Sequence, residues 1–328
     1  VPTSGLRLPM PYPGDEAVHP SIVHVPSGFG GYEYWLAYTP YTATDPRLEN
    51  PCIAASHDGT HWVVPTGATN PLCAPPPGTA HNSDPCLSLV DGVLHLFWRE
   101  SDDASGTSDL VHLRTSPNGT DWSPAVLAHA NPGHDWTAPA ILADDEGWVM
   151  WAVRANTAPD AAASGRALLR RRAPTPTGPW GPVETCTLEL PAGQVVWHQS
   201  IRRFEGWYVG LFNIQTPGTS RTSDLVIATS SDGLDWGTSS GPLIRRSAPH
   251  HDRLYHGDFV VHRRGGALHA DVWYSAFRAG HPNTWSISRT RLRRRVWSPV
   301  PRSVRTFTGS AGGHLLEVLK KVRRVLVR

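Results

Sequence analysis

All-β architecture is what this sequence predicts, and three observations predict it. One pattern recurs along the chain: a polar cluster, a short apolar strand, a tight turn, and a second strand ending in aromatics. Its clearest copy is residues 81–98, HNSDPCLSLVDGVLHLFW, where Asp91-Gly92 between two apolar runs is a hairpin signal. Residues 20–38, 139–151, 200–212 and 259–274 repeat it, so copies about 60 residues apart fill the chain. A second motif, a serine followed two residues later by Asp-Gly or Asn-Gly and then Trp, stands at 56–62, 116–122 and 230–236. Third, 31 prolines and 30 glycines punctuate short strands, as in turn-rich β folds. Each unit is too small to bury its own apolar face, so the units must pack on one another in a single domain. Four-stranded antiparallel units repeated around an axis make a β-propeller, and five such blades fit this length.

Taken in order, residues 1–14 read as a proline-rich lead-in, 15–308 as the propeller, and 309–328 as a Gly-rich linker and an amphipathic helix. In the 56–62 turn, Asp58 closes an Asx-type turn, Gly59 supplies a positive φ and Trp62 packs on the hairpin. Thr177-Gly178-Pro179-Trp180 takes this place in the third unit, and Trp297-Ser298-Pro299 ends the fifth. Short segments such as 125–127 and 243–244 supply fourth strands. The last blade is expected to carry its own, near 303–307, so the ring need not be closed by a strand from the N-terminus. In 314–328, Leu315, Leu316, Leu319, Val322, Val325 and Leu326 recur at helical spacing among basic residues. That helix either docks on the propeller flank or tethers the chain to a protein partner or an anionic surface.

A net charge of +2 speaks against nucleic acid as a partner. The four cysteines show no CxxC spacing, and Cys86 in an apolar strand reads as a buried thiol. No run of residues has the length and apolarity of a membrane-spanning helix. The chain opens Val1-Pro2, which leaves the compartment open. A secreted or particle-associated protein is the expectation that goes with a polysaccharide partner, beside a cytoplasmic alternative.

In a propeller the inner strand of each blade lines the axis, and its head shares a rim with the end of the second strand. Chemistry-bearing residues recur there: Glu16 and His19, His81 and Asp84, Asp135 and Trp136, Trp197 and His198, His256 and Asp258. The second strands end in Tyr41, Arg99, Arg154, Asn213 and Arg278. Carboxylates facing one another across a funnel are what glycosidic bond cleavage requires, one as acid and the other as base or nucleophile. Aromatic and arginine side chains on the rim suit sugar rings and anionic groups. Histidines at four heads raise one axial metal ion, such as calcium, with His198 as ligand.

On these repeats, the Asp-Gly turns, the Thr-Gly-Pro-Trp turn and Asp84-Pro85, residues 15–308 resemble the five-bladed propeller glycoside hydrolases of the arabinanase and β-xylosidase group (family 43). The resemblance implies an Asp before Pro in blade one as base, an Asp before Pro in blade two as orienting residue, and a Glu in blade three as acid. Here His19 precedes Pro20 in the first slot, Asp84 fills the second, and Thr137 stands in the third. His198 matches a blade-four histidine that helps hold a central metal ion in that family. With two catalytic slots altered, the carboxylate work falls to Asp84 and Asp258, with Glu16 and Asp135 as alternates. Substrate binding falls to His19, His81, Arg99, Trp136, Arg154, Trp197, His256 and Arg278. The Asp-Gly turns also resemble the sialidase Asp-box, one residue shorter. The function expected is hydrolysis of an arabinan-, xylan- or arabinogalactan-like polysaccharide. The alternatives are a non-catalytic glycan- or receptor-binding propeller, for instance in a virus tail, and a purely structural interaction propeller.

Overall fold

A computed structural model describes residues 5–102, 108–132, 136–154, 166–217, 223–239, 241–247, 251–264, 267–280 and 284–294. The strand proposed at 303–307, the linker, the C-terminal helix and Asp135 lie outside the described residues. Blade one holds β1 (Ala17–Phe29), β2 (Tyr32–Pro40) and β3 (Cys52–Ser56), with an isolated bridge from Ala55 to Val63 in the fourth position. Blade two holds β4 (His81–Val90), β5 (Val93–Ser101), β6 (Ser108–Ser116) and β7 (Val126–Pro132). Blade three holds β8 (Thr137–Asp144), β9 (Gly147–Arg154), β10 (Ala167–Ala173) and β11 (Glu184–Thr185). The two-residue β12 (Thr187–Leu188) then crosses over and pairs parallel with β16 at the edge of blade four. That blade comprises β13 (Val195–Phe204), β14 (Trp207–Gln215), β15 (Asp224–Ser230) and β16 (Asp235–Thr238). Blade five comprises β17 (Arg253–Arg264), β18 (Ala267–Phe277) and β19 (Trp285–Arg294). The fold is the expected five-bladed propeller.

Ring closure is visible in the core, because apolar side chains cluster at each seam between blades. Trp35 and Ile53 meet Leu87 and Leu96, and Phe97 and Val111 meet Ile141 and Met150. Val149 and Trp151 meet Phe212 and Trp236, and Leu211 and Leu225 meet Val272 and Tyr274. Leu36 and Tyr38 of blade one meet Trp273 and Ile287 of blade five. Each apolar strand face is thus buried against a neighbouring blade, which supplies the main favourable term in folding. The lead-in joins the last seam: Leu6 N–H donates to Ile287 O at 2.7 Å, and Leu6, Leu8 and Met10 pack on the blade one–five cluster. The N-terminal segment therefore does contribute to closure.

The Asp-Gly turns have a second purpose that their local chemistry did not reveal. Ser56 Oγ accepts from the Gly59 N–H and Asp58 Oδ1 from those of Thr60 and His61, as an Asx turn requires. Gly59, however, lies against Trp273 of blade five, whose indole N–H donates to its carbonyl at 3.0 Å. Gly119 likewise lies against Trp35 of blade one, and Gly233 against Trp151 of blade three. A Cβ at Gly119 would fall 2.0 Å from the Trp35 ring. Glycine is needed for the close approach as well as for its φ of +84°.

Candidate active centre

Each inner strand is bulged near its head, the register shifting between Val18 and Ser21, Ser83 and Cys86, Thr137 and Ala140, Val196 and His198, and Leu254 and Gly257. A bulge re-aims a side chain that the pleat would direct sideways. In the first three blades the bulge includes a residue just before proline in the left-handed region: His19 (φ 54°), Asp84 (φ 50°) and Ala138 (φ 50°). Such a φ is costly for a non-glycine residue and points to a constrained site. In blade three this strained residue is Ala138, next to Thr137. Its backbone N–H, 3.3 Å away, donates to Asp84 Oδ2.

Three atoms converge at this rim. His19 Nε2 and His198 Nε2 each lie 3.3 Å from Asp84 Oδ1, all three side chains being buried. Neither His19 Nε2 nor Asp84 Oδ1 has a hydrogen-bond partner among the described residues. The far side of His19 is engaged: Nδ1 lies 3.0 Å from Thr39 Oγ1 and 3.3 Å from Glu49 Oε2. Those contacts suit a proton on Nδ1 and a lone pair on Nε2 facing the axis. His256 and Tyr255 complete the wall, with ring centroids 5.7 and 5.0 Å from that of His19. Tyr255 packs edge-on against His198 at 4.3 Å.

Electrostatics separates these groups. Burial would raise the Asp84 pKa, but His19, His198 and Arg99 overcome it and hold the carboxyl well below the usual carboxylate range. Burial raises Glu49, with His19 opposing. Burial lowers His198 to about 4 against the pull of Asp84, and lowers His256 well below the ordinary histidine value. For His19 the carboxylates of Asp84 and Glu49 outweigh burial and raise the pKa. Burial, reinforced by Asp84 and Glu49, keeps the Tyr255 phenol far above its usual pKa.

Several residues expected at the site serve elsewhere. Asp258 is a pin beneath the centre: Oδ2 accepts from the Ile22 N–H at 2.7 Å and pairs with Arg202, while Oδ1 accepts from Phe259 N–H. Glu16 is spent on the backbone N–H groups of Ala43, Thr284 and Trp285 and on the Thr284 hydroxyl. Trp136 is 1 % exposed in the blade two–three core, with its indole N–H on Met150 Sδ. Arg99 braces the site, bonding Asp109 with its NH1 3.9 Å from Asp84 Oδ2. His81 stands half-buried at the head of β4, within electrostatic reach of Glu49. Trp197 lies at the rim under Arg166, and Arg154 ends β9 beside it. Arg278 bonds Thr284 through its backbone N–H and has no side-chain partner among the described residues.

Glu49, Tyr255 and Arg166 were missed. Glu49 follows a 3-10 turn and Arg166 precedes β10, so neither occupies a strand head. Tyr255 adjoins His256 within a bulge, and the alternation rule allots the axis only one of two such neighbours.

No family model matches the chain. An A type blood N-acetyl-α-D-galactosamine deacetylase from Flavonifractor plautii is 28% identical over 317 residues, covering 80% of this chain and 40% of the relative. The chain thus spans about two fifths of that curated relative's length. Among solved structures, an N-acetylgalactosamine deacetylase from F. plautii in complex with blood group B trisaccharide superposes with a TM-score of 0.79. The match has 23% identity over 88% of this chain and 94% of that one. A thermostable family-43 glycoside hydrolase superposes with a TM-score of 0.63 at 13% identity, over 88% of this chain and 97% of that one. The chain therefore has the five-bladed propeller fold of the group that includes the family-43 glycoside hydrolases.

Proposed function

We propose that this propeller is a metal-dependent hydrolase that removes the N-acetyl group from an amino sugar. The observation that carries this reading is the convergence of His19 Nε2, Asp84 Oδ1 and His198 Nε2. Donor atoms bound to one ion at about 2.0–2.2 Å sit roughly 3.0–3.5 Å apart, and the 3.3 Å spacings fit. Two imidazoles and a carboxylate suit a transition-metal dication, whereas calcium prefers an all-oxygen shell. The orphaned Nε2 and Oδ1 atoms are the groups such an ion would satisfy. A dication held there supplies Lewis acidity toward an amide carbonyl and makes water more acidic. The likeness to a deacetylase supports the acetamido group as the reacting one.

The chain's own residues divide the remaining work. Glu49 and Thr39 orient His19 through Nδ1 and fix its tautomer. Tyr255 keeps its proton at neutral pH and is a hydrogen-bond donor beside the centre. His256 is held neutral by burial and by His19 and His198, and its Nδ1 has no hydrogen-bond partner among the described residues, which leaves it open to a polar group of the substrate. Trp285, packed between Tyr255 at 5.5 Å and Tyr41 at 6.4 Å, offers an aromatic face for a sugar ring.

Glycosidic cleavage is the second reading, favoured by two buried carboxyls, Asp84 and Glu49, whose pKa values are driven apart on either side of His19. Supplying the protein with zinc or manganese and N-acetylated oligosaccharides separates the two. Acetate release without new reducing ends supports deacetylation. Reducing ends without acetate overturn it in favour of glycosidic cleavage, and neither product leaves a glycan-binding module. Asp84→Asn should abolish both acetate release and metal retention.

A further inference from the structure

Several buried or half-buried guanidinium groups among the described residues have a carboxylate. Arg99 pairs with Asp109, Arg170 with Glu184, Arg172 with Asp144 and Arg202 with Asp258. Arg166 does not. It stands immediately before β10 at the axial end of blade three, half-buried, its guanidinium carbon 3.8 Å from the centroid of the Trp197 ring. No carboxylate among the described residues forms an ion pair with it. Its charge is felt instead by Tyr255 and His198. Arg154 is its neighbour across the sheet, Arg154 pairing with Ala167 in the β9–β10 register. The Arg154 Nε is buried and has no hydrogen-bond partner among the described residues.

A half-buried cation without a counter-charge is costly, and no described residue accepts a hydrogen bond from this guanidinium. Stacking on Trp197 holds the guanidinium plane and presents its donor fork, the geometry that binds a carboxylate or a sulfate through two parallel bonds. Resting on the reading of His19, Asp84 and His198 as the reacting centre, we infer that Arg166, assisted by Arg154, selects a sugar substrate bearing an acidic group next to the N-acetylated residue. The acidic group is a uronic carboxylate or a sulfate ester. The residue acts on specificity, since it touches substrate away from the acetamido carbonyl.

The test uses two N-acetylated probes of equal length, hyaluronan tetrasaccharide (alternating uronic acid) and chitotetraose (neutral). Titration calorimetry on the full chain should show the acidic probe bound at least about tenfold more tightly, as a charge-assisted bidentate contact implies. In Arg166→Gln the ratio of the two dissociation constants should collapse to within about twofold. Inorganic sulfate at matched ionic strength should compete with the acidic probe only, and Arg166→Lys should restore part of the preference; both hold the test open if the glutamine variant does not fold. Equal wild-type affinities, or an unchanged ratio in Arg166→Gln, overturn the inference. A third probe, 6-O-sulfated chitotetraose, bound more tightly than the hyaluronan tetrasaccharide assigns the ester instead of the carboxylate. Acetate release is scored separately: release without acidic preference keeps the proposed function and rejects the inference, and acidic preference without release does the reverse.

Discussion

Asp258→Ala distinguishes a structural pin from a catalytic carboxylate. Asp258 is completely buried, and Arg202 reaches it from blade four while also donating to Leu87 O at 3.2 Å, Ile22 O at 3.0 Å and Ser21 Oγ at 3.2 Å. One guanidinium thereby ties blades one, two, four and five together below the active centre. Removing the carboxylate strands Arg202 without its charge partner and leaves the Ile22 and Phe259 N–H groups without acceptors. Breaking a buried pair from one side costs about 3–5 kcal/mol. At roughly 2–4 °C per kcal/mol, the melting temperature should fall by about 6–20 °C. The double variant Arg202→Met, Asp258→Leu should recover part of that loss, since it removes both charges together. Thermal denaturation followed by circular dichroism, with acetate release measured on the folded fraction, provides the readout. A variant that melts within about 2 °C of the wild type yet releases no acetate would refute the structural assignment, because only a reacting carboxyl behaves that way.

Four further outcomes follow from the geometry. Glu49→Gln should weaken metal retention about 10–100-fold, measured by metal content after graded chelation, with activity returning as metal is added back. Gly119→Ala should cost about 2–4 kcal/mol, combining left-handed strain with collision against Trp35. Gly92→Ala, at φ +74° with nothing within 4 Å of the new Cβ, should cost only about 1 kcal/mol by denaturant titration. Asp144 is held below the usual carboxylate range because its bonds to Arg172 and Tyr208 outweigh burial. A depressed folded pKa contributes stability above the unfolded value of about 3.9, and that contribution is lost as pH falls through the folded value. Asp144→Asn should therefore be destabilising by about 1–3 kcal/mol near pH 7, with the gap to wild type closing below about pH 4.

The five blades were legible because hairpin turns are local chemistry, readable at Asp91-Gly92 or Glu205-Gly206 without any long-range knowledge. The heads carrying His19, Asp84, His198 and His256 were legible too, since their position follows from the repeat. What the repeat concealed was the partner of each head. Asp258 and Arg202 are 56 residues apart, and Glu16 meets Thr284 across 268, so neither carboxylate betrays in sequence that it is already occupied. Bulges compounded this, because one extra residue reverses the faces on which neighbours lie. Trp136 thus fell into the core, while Tyr255 could join His256 at the axis. Glu49 and Arg166 enter from connecting segments, to which a strand-based register assigns nothing.

The glycine-on-tryptophan contact also has a direction. Gly119 leans back on blade one and Gly233 back on blade three, so during synthesis each of these turns emerges to find its seat already made. Gly59 alone must wait, since Trp273 is made more than two hundred residues later. The opening blade is therefore the last to be secured. A nascent chain stalled before blade five would expose that unfilled turn, together with the apolar flank beside it, to the quality-control machinery of the cell.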